Sequence, residues 1–465
     1  MPLWANIADT KATPMSALAN LLFIIIINIR LTKKVHFTFR GANLLKKFEI
    51  KARNINNISY FCIVKRFKSI LSHFIAFLLL FFSSSQSVFA SNEIPTQLAN
   101  HVDSMIHLGL LTCQPSQEVY SLYGHTAIHY INREQGIDVA VNYGMFSFNK
   151  PHFILRFVFG LTDYEMGVQP FDDFCAAYAY EQRGITEQVL NIPAEVKLEI
   201  AEALERNYLP QNREYRYNYF YDNCTTRARD MIVGSLKPLI HYERKDGGPS
   251  FRKMIHAYNE DHPWARFGND ILLGVKADRP TSISEQQFLP DHLKNDFASA
   301  FVKTKDSQWK LVKETKTIIP AFNQTVEEEF PLRPRTCAII LLIITILTTL
   351  LEYFLNKKFW GYDCAIMLTS GIAGCILFVM IFSQHPTVSL NLQLLALNPL
   401  PLFFVWRAVK RIRNRQSDGW WKLWCILLLL FFIGALLQSY AEGMMIVACS
   451  LLLRCCSHLQ KPRTK

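Results

Sequence analysis

The feature that most limits how this chain folds is a series of five apolar runs in its last third, at residues 337–355, 362–382, 390–409, 423–438 and 440–453. A bilayer core takes ~20 residues of helix to cross. The first three runs reach that length, and the last two are shorter and expected to tilt or pack together. Half of the 465 residues are hydrophobic, 19% are charged and the mean hydropathy is +0.10. These values exclude a disordered chain and argue against a wholly soluble one. The length predicts two or three domains, so a soluble domain with a sizeable core fits beside the apolar runs.

A net charge of +12 invites a nucleic-acid reading, and its distribution removes it. Residues 91–335 carry 26 Lys+Arg against 32 Asp+Glu, so the basic surplus lies in the flanks. Upstream, Lys65, Arg66 and Lys68 precede an apolar run at 70–82 and a serine-rich stretch ending Val88-Phe89-Ala90. This pattern predicts a secretory signal peptide at 65–90, cleaved after Ala90, with a core short for a spanning anchor. Residues 1–64 fit no such leader. They are expected to be a non-native or unstructured extension, with the natural start near Val64. Residue 91 onward is therefore exported, and the first membrane helix runs inward. Lys357 and Lys358, then Arg407, Lys410, Arg411, Arg413 and Arg415, then Arg454 and the tail fall inside, whereas loops 383–389 and 439–443 have no Lys or Arg. Five spans meet the positive-inside rule. The predicted plan is a periplasmic domain at 91–302, a polar linker at 303–335, a transmembrane domain at 336–456 and a cytoplasmic tail at 457–465, in the inner membrane.

Within the exported domain, two β-branched, aromatic-rich runs flank the loop 132–136 and predict a hairpin. Alternation puts His125, Ala127 and His129 on one face and Thr126, Ile128 and Tyr130 on the other. A strand is predicted at 185–191, then a helix opened near Pro193 with Val196, Ile200, Ala203 and Leu204 on its buried stripe. Tyr215, Tyr217, Tyr219 and Tyr221 predict an extended segment with one aromatic face, leading into Asp222-Asn223-Cys224-Thr225-Thr226-Arg227. Asp222 or Asn223 is a good N-cap, which puts Cys224 in the first turn of a helix. There the macrodipole and free N–H groups stabilise a thiolate and are placed to hold a developing oxyanion. His125 is the candidate base and Asn142, on the paired strand, the candidate orienter of its ring, while His129 competes for the base's role. Asn223, Tyr143 and Tyr221 are candidate binding residues; the tyrosines are either core or the lining of an acyl groove.

Each residue also has a plainer reading. A lone cysteine is more often a disulfide half or a buried apolar residue, and a lone histidine a satisfied core residue. The Asn223-Cys224 pair at a helix start favours the nucleophile. Only Cys113, Cys175 and Cys224 lie in the exported domain. An odd number leaves at least one thiol unpaired, with a Cys113–Cys175 disulfide open. No compact cluster with zinc spacing is visible, His125 with His129 lacks a third ligand, and phosphate loops and a Gly-x-Ser-x-Gly elbow are missing, so no metal or cofactor is expected.

A histidine strand preceding an Asn-Cys helix resembles the circularly permuted NlpC type of papain-like fold. More closely, Thr112-Cys113, Gly124-His125-Thr126-Ala127, Asn142-Tyr143-Gly144 and residues 222–227 resemble the Lnb family of lipoprotein N-acyltransferases. The motifs cover roughly residues 100–300, and the architecture matches over the remainder. Phe288-Leu289-Pro290-Asp291 and residues 268–274 also match, without an evident chemical role, whereas residues 1–64 depart from the family plan. The resemblance implies an α+β, permuted papain-like thiol-enzyme domain followed by an α-helical transmembrane bundle. It also implies a phospholipid acyl donor, a diacylated lipoprotein acceptor and a thioester on Cys224. The bundle either anchors the enzyme or, through residues 385–386 and 391–398, helps admit substrate. A cell-wall amidase or endopeptidase would use the same Cys224 and His125 in a polar cleft, and an envelope scaffold would keep Cys224 as a structural residue.

Overall fold

The computed structural model describes residues 96–118, 121–146, 151–236, 239–323 and 330–459. The expected leading extension, the signal peptide and all but the first residues of the tail lie outside them. The strands are β1 Ile106–Cys113, β2 His125–Asn132, β3 Ile137–Met145, β4 Asp163–Pro170, β5 Ile185–Leu190, β6 Glu214–Arg216, β7 Ile240–His241, β8 Phe301–Lys303, β9 Gln308–Lys310 and β10 Val312–Ile319. Seven form an antiparallel sheet in the order β10-β5-β1-β2-β3-β4-β6, and β7, β8 and β9 form a second, small one. The helices that matter for the site are α1 Thr96–Met105, α2 Phe153–Val158, α3 Phe171–Tyr180, α4 Ala194–Tyr208, α5 Cys224–Gly234, α6 Phe251–His256, α7 Pro263–Leu272 and α8 Pro290–Ser299.

The period-two reading of the hairpin holds. Leu108, Leu110, Ile128, Val141 and Tyr143 pack on one face with Ile200 and Leu204 of α4 and Ala228 and Ile232 of α5. Leu111, Cys113, Ala127 and Ala140 face the other way, against Phe174 of α3. The helix predicted after Pro193 is α4, with Pro193 as its N-cap and Ile200 and Leu204 buried.

Two expectations are corrected. The tyrosine run is extended only through β6, because Asn218 Oδ1 accepts from the N–H groups of Phe220 and Tyr221 and closes a turn there. Tyr219 and Phe220 then enter a separate core with Phe251 and Phe288. Residues 303–319, expected as linker, form part of β8 and all of β9 and β10, and β10 pairs with β5 at the edge of the main sheet. Its Lys and Glu side chains are exposed, as suits an edge strand, and that charge disguised its alternation.

The apolar part is helical: α9 Pro334–Leu355, α10 Trp360–Met380, α11 Leu400–Arg413, α12 Trp420–Gly434 and α13 Met444–Leu459. Among the described residues, three segments are long and apolar enough to cross a membrane: Pro334–Leu355, Trp360–Met380 and Leu392–Arg413. The third departs from the expected continuous span, since Asn398 and Pro399 separate the 3-10 turn Leu392–Leu395 from α11. That turn docks on the α+β domain. Gln393 Nε2 donates to the Asp270 carbonyl (2.9 Å) and Asn391 Nδ2 to that of Ile271 (2.7 Å). Gln438 Nε2 donates to Leu273 (2.9 Å), while the Gly274 and Val275 N–H groups donate to the carbonyls of Thr387 and Leu390 (2.8 Å each). The whole is an α+β domain joined to an apolar helical bundle.

Candidate active site

Asn223 makes helix α5 start where it does. Its backbone is extended, and its Oδ1 accepts from the N–H groups of Thr225 and Thr226 at 2.9 Å. The Thr226 hydroxyl accepts in return from the Asn223 N–H at 2.8 Å, a reciprocal cap. The remaining amide hydrogens go to the carbonyls of Tyr219 and Phe288, both at 2.9 Å. Asn223, expected beside substrate, therefore uses its side chain entirely to fix the helix start. Two N–H groups of the first turn, those of Thr225 and Thr226, are taken by this cap and are not offered to an oxyanion.

Cys224 opens the helix, and the helix is held to β2 by the Thr126 and Thr225 hydroxyls, 3.1 Å apart. His125 begins β2, and Asn142 on β3 stands diagonal to it in the ladder, opposite Ala127. Asn142 Oδ1 lies 2.7 Å from His125 Nε2, and its Nδ2 turns to Met145 Sδ at 3.8 Å. With Nε2 donating to Asn142, the Nδ1 edge of the ring is the one left for the thiol, whose ionised form His125 favours. Gly144 shows how closely the three converge. A Cβ there would lie 3.3 Å from His125 Cε1, 3.8 Å from Asn142 Oδ1 and 3.8 Å from Cys224 Cβ, on a backbone with φ +149°.

Burial alone would raise the Cys224 thiol. The charge of His125, its hydrogen bond, the Thr126 N–H and the Thr225 hydroxyl outweigh burial and bring the thiol down to about 7. Burial would likewise lower His125, yet the neighbouring thiolate and the bonds from Cys224 and Asn142 raise it above the ordinary imidazole value. Each group therefore favours the charged form of the other. Cys113 and Cys175 behave oppositely: both are free thiols, which answers the open disulfide, and burial pushes them up to about 12 and about 11. His129 is no rival base, since Glu187 and Asp138 occupy its two ring nitrogens at 2.7 and 3.0 Å.

The other predicted residues spread out. Tyr143 sits on the opposite face of β3 from Asn142, 1% exposed, and its phenol donates to Asn207 Oδ1 at 2.9 Å. It lines a cavity of about 290 Å³ with Asn207, Arg227 and Asp230, apart from the thiol. Tyr221 is exposed on the turn before α5, edge-on to Phe251. A stacked pair influenced by the thiolate was not assembled by sequence reasoning. Tyr164 and Tyr217 stack at 4.1 Å, and burial, followed by the thiolate's charge, holds the Tyr164 phenol up. Tyr217 was visible in the tyrosine run, whereas nothing in the sequence joined Tyr164 to it. A group able to ligate a metal, His107, His129 and Glu187, lies farther along the sheet.

A thiol at a helix N-terminus beside an imidazole bonded to an amide, with stacked tyrosines near it, is an arrangement chemically able to act as a nucleophile on acyl groups. Residues 99–257, which contain Cys224, His125 and Asn142, match the Lnb N-terminal periplasmic domain, and residues 325–465 match the Lnb transmembrane domain. No curated protein and no solved structure matches the chain. With both parts of that architecture matched in order over most of its length, the chain belongs to the Lnb family, as a membrane protein with a periplasmic N-terminal domain.

Proposed function

We propose that this protein is an inner-membrane lipoprotein N-acyltransferase that carries the acyl chain on Cys224. The observation that carries the reading is the convergence of Cys224, His125 and Asn142 around Gly144. In the first half-reaction the thiolate attacks the ester carbonyl of a phospholipid. The sulfur–carbon bond forms, the carbon–oxygen bond breaks, and the His125 imidazolium gives its proton to the departing lyso-phospholipid. The Cys224 N–H is the donor nearest the developing oxyanion. In the second half-reaction the α-amine of a diacylglyceryl-cysteine lipoprotein attacks the thioester. His125 takes the amine proton, the carbon–sulfur bond breaks, and the thiolate–imidazolium pair is restored. Asn142 keeps the ring in the tautomer both steps need. The aromatic surround supports amine over water as the acceptor. Five apolar helices that hold the domain at the bilayer support a donor and an acceptor that both live in the membrane.

Mass spectrometry of a lipoprotein N-terminus tests this in cells with the protein present, absent or carrying Cys224→Ala. The added acyl chain should appear only with the intact protein. Equal acylation in all three strains would end the proposal, and release of free fatty acid without acceptor acylation would mark a hydrolase instead.

A further inference from the structure

Three strands gather His107, His129 and Glu187 on the sheet face that also carries Ala127. Glu187 belongs to β5 and His129 to β2, with β1 between them. The carboxylate crosses β1 at Gly109, where a Cβ would stand 2.3 Å from its Oε1. Only glycine at that position lets the oxygen reach the second imidazole. The same Oε1 then lies 2.7 Å from His107 Nε2 and 2.7 Å from His129 Nδ1. All three ligand atoms lie within 4.8 Å of one another.

The surroundings resemble those of ligands rather than of a simple ion pair. The other nitrogen of His129, Nε2, is 3.0 Å from Asp138 Oδ1, the carboxylate that commonly orients a metal-bound imidazole. Phe171 stacks on the His129 ring at 3.7 Å and 15°, fixing its plane while leaving the edges free. His129 and Glu187 are buried, whereas His107 is partly exposed and opens a route to solvent.

We propose that His107, His129 and Glu187 bind one zinc ion that links β1, β2 and β5 and keeps one coordination position open. Two imidazoles and a carboxylate are a known zinc set, with bonds of about 2.0–2.2 Å and water in the fourth position. Coordination replaces the protons now shared between Glu187 and the two rings, and releases them to solvent. The ion would pin the strand that begins with His125, four residues from His129.

Tag-free full-length protein in detergent is stripped with a chelator, equilibrated with zinc chloride and desalted, and its metal content and Tm are measured. Wild type and Cys224→Ala should each retain one zinc per chain and gain Tm, because the catalytic thiol is not a ligand. Glu187→Gln and His107→Ala should retain less than a tenth of that. Asp138→Asn alters an exposed, non-ligating carboxylate and should weaken zinc about 10- to 100-fold with the fold intact, deciding the matter even where the other variants fail to fold. Failure of the stripped wild type to retain zinc, or wild-type zinc binding by Asp138→Asn, overturns the site. Loss of stoichiometric zinc from Cys224→Ala also overturns it. Lipoprotein acylation is not the readout, so the zinc site and the acyl-transfer reading stand or fall separately.

Discussion

A thiolate that depends on one imidazole makes a sharp forecast about Cys224. Its thiol is held near 7 against burial chiefly by His125, so alkylation by iodoacetamide should rise as pH passes upward through about 7 and fall away below it. Cys113 and Cys175, pushed up to about 12 and about 11, should stay unlabelled at pH 7. His125→Ala leaves burial with weaker opposition. The Cys224 value then climbs, and labelling at pH 7 should fall ~tenfold or more, as read by mass spectrometry of the Cys224 peptide. A pH profile identical to that of wild type would remove His125 as the partner. Gly144 is the second case. A methyl group there intrudes on His125 and strains a φ of +149°, so Gly144→Ala should cut acyl transfer by ~tenfold or more while the Tm falls only modestly. Full transfer by that variant would show that the space above Gly144 is not where the reaction occurs.

Helix α5 owes its start to Asn223 rather than to the tyrosines before it. Asn223→Ala removes the cap and two further bonds to main-chain carbonyls, a loss of about 2 kcal/mol, and should lower Tm by several degrees. Asn223→Ser restores an oxygen for the Thr225 and Thr226 N–H groups but not the two donations, so its Tm should fall between wild type and Ala. This element was legible in the sequence because capping is local: Asn223-Cys224-Thr225-Thr226 contains every atom it needs. The β2–β3 hairpin was legible for the same reason, its alternation and its loop standing within one stretch of chain. What is assembled from distant strands was not. The pair His125 and His129 lacked a third ligand in the sequence, whereas the group able to hold a metal is His107, His129 and Glu187, which meet only through the β5-β1-β2 order that no sequence spacing encodes. β10 was hidden differently. Its outward Lys and Glu residues look like linker, and only its pairing with β5 shows that the charge belongs to a sheet edge.

The α+β domain and the helical bundle meet along a seam of hydrogen bonds, from which we predict that the bundle has a part in the proposed reaction beyond holding on. Gly274 is the tightest point: a Cβ there would lie 2.1 Å from the Leu390 carbonyl oxygen, a backbone atom that cannot rotate aside. Around it, Gln393 and Gln438 are 0% and 2% exposed and direct their amides at the carbonyls of Asp270 and Leu273. Arg252, 2% exposed, braces the same loop by bonding Asp270 and Asp278, and Asp278 in turn accepts from the Ser439 N–H at 3.2 Å. On the proposed function, a docked domain would keep Cys224 at one height and angle to the bilayer that confines both proposed substrates, and such confinement multiplies an encounter rate without any new contact. Gly274→Ala should therefore separate two properties that an inactive triad would lose together. Cys224 should still alkylate at pH 7 as in wild type, because the triad is built on β2, β3 and α5, while lipoprotein N-acylation in cells should drop severalfold at equal protein abundance. Replacing the bundle with a single foreign helix should reproduce that split in stronger form. Normal acylation by either variant would reduce the bundle to an anchor, whereas lost alkylation in Gly274→Ala would mean that the docking seam also holds the triad in shape.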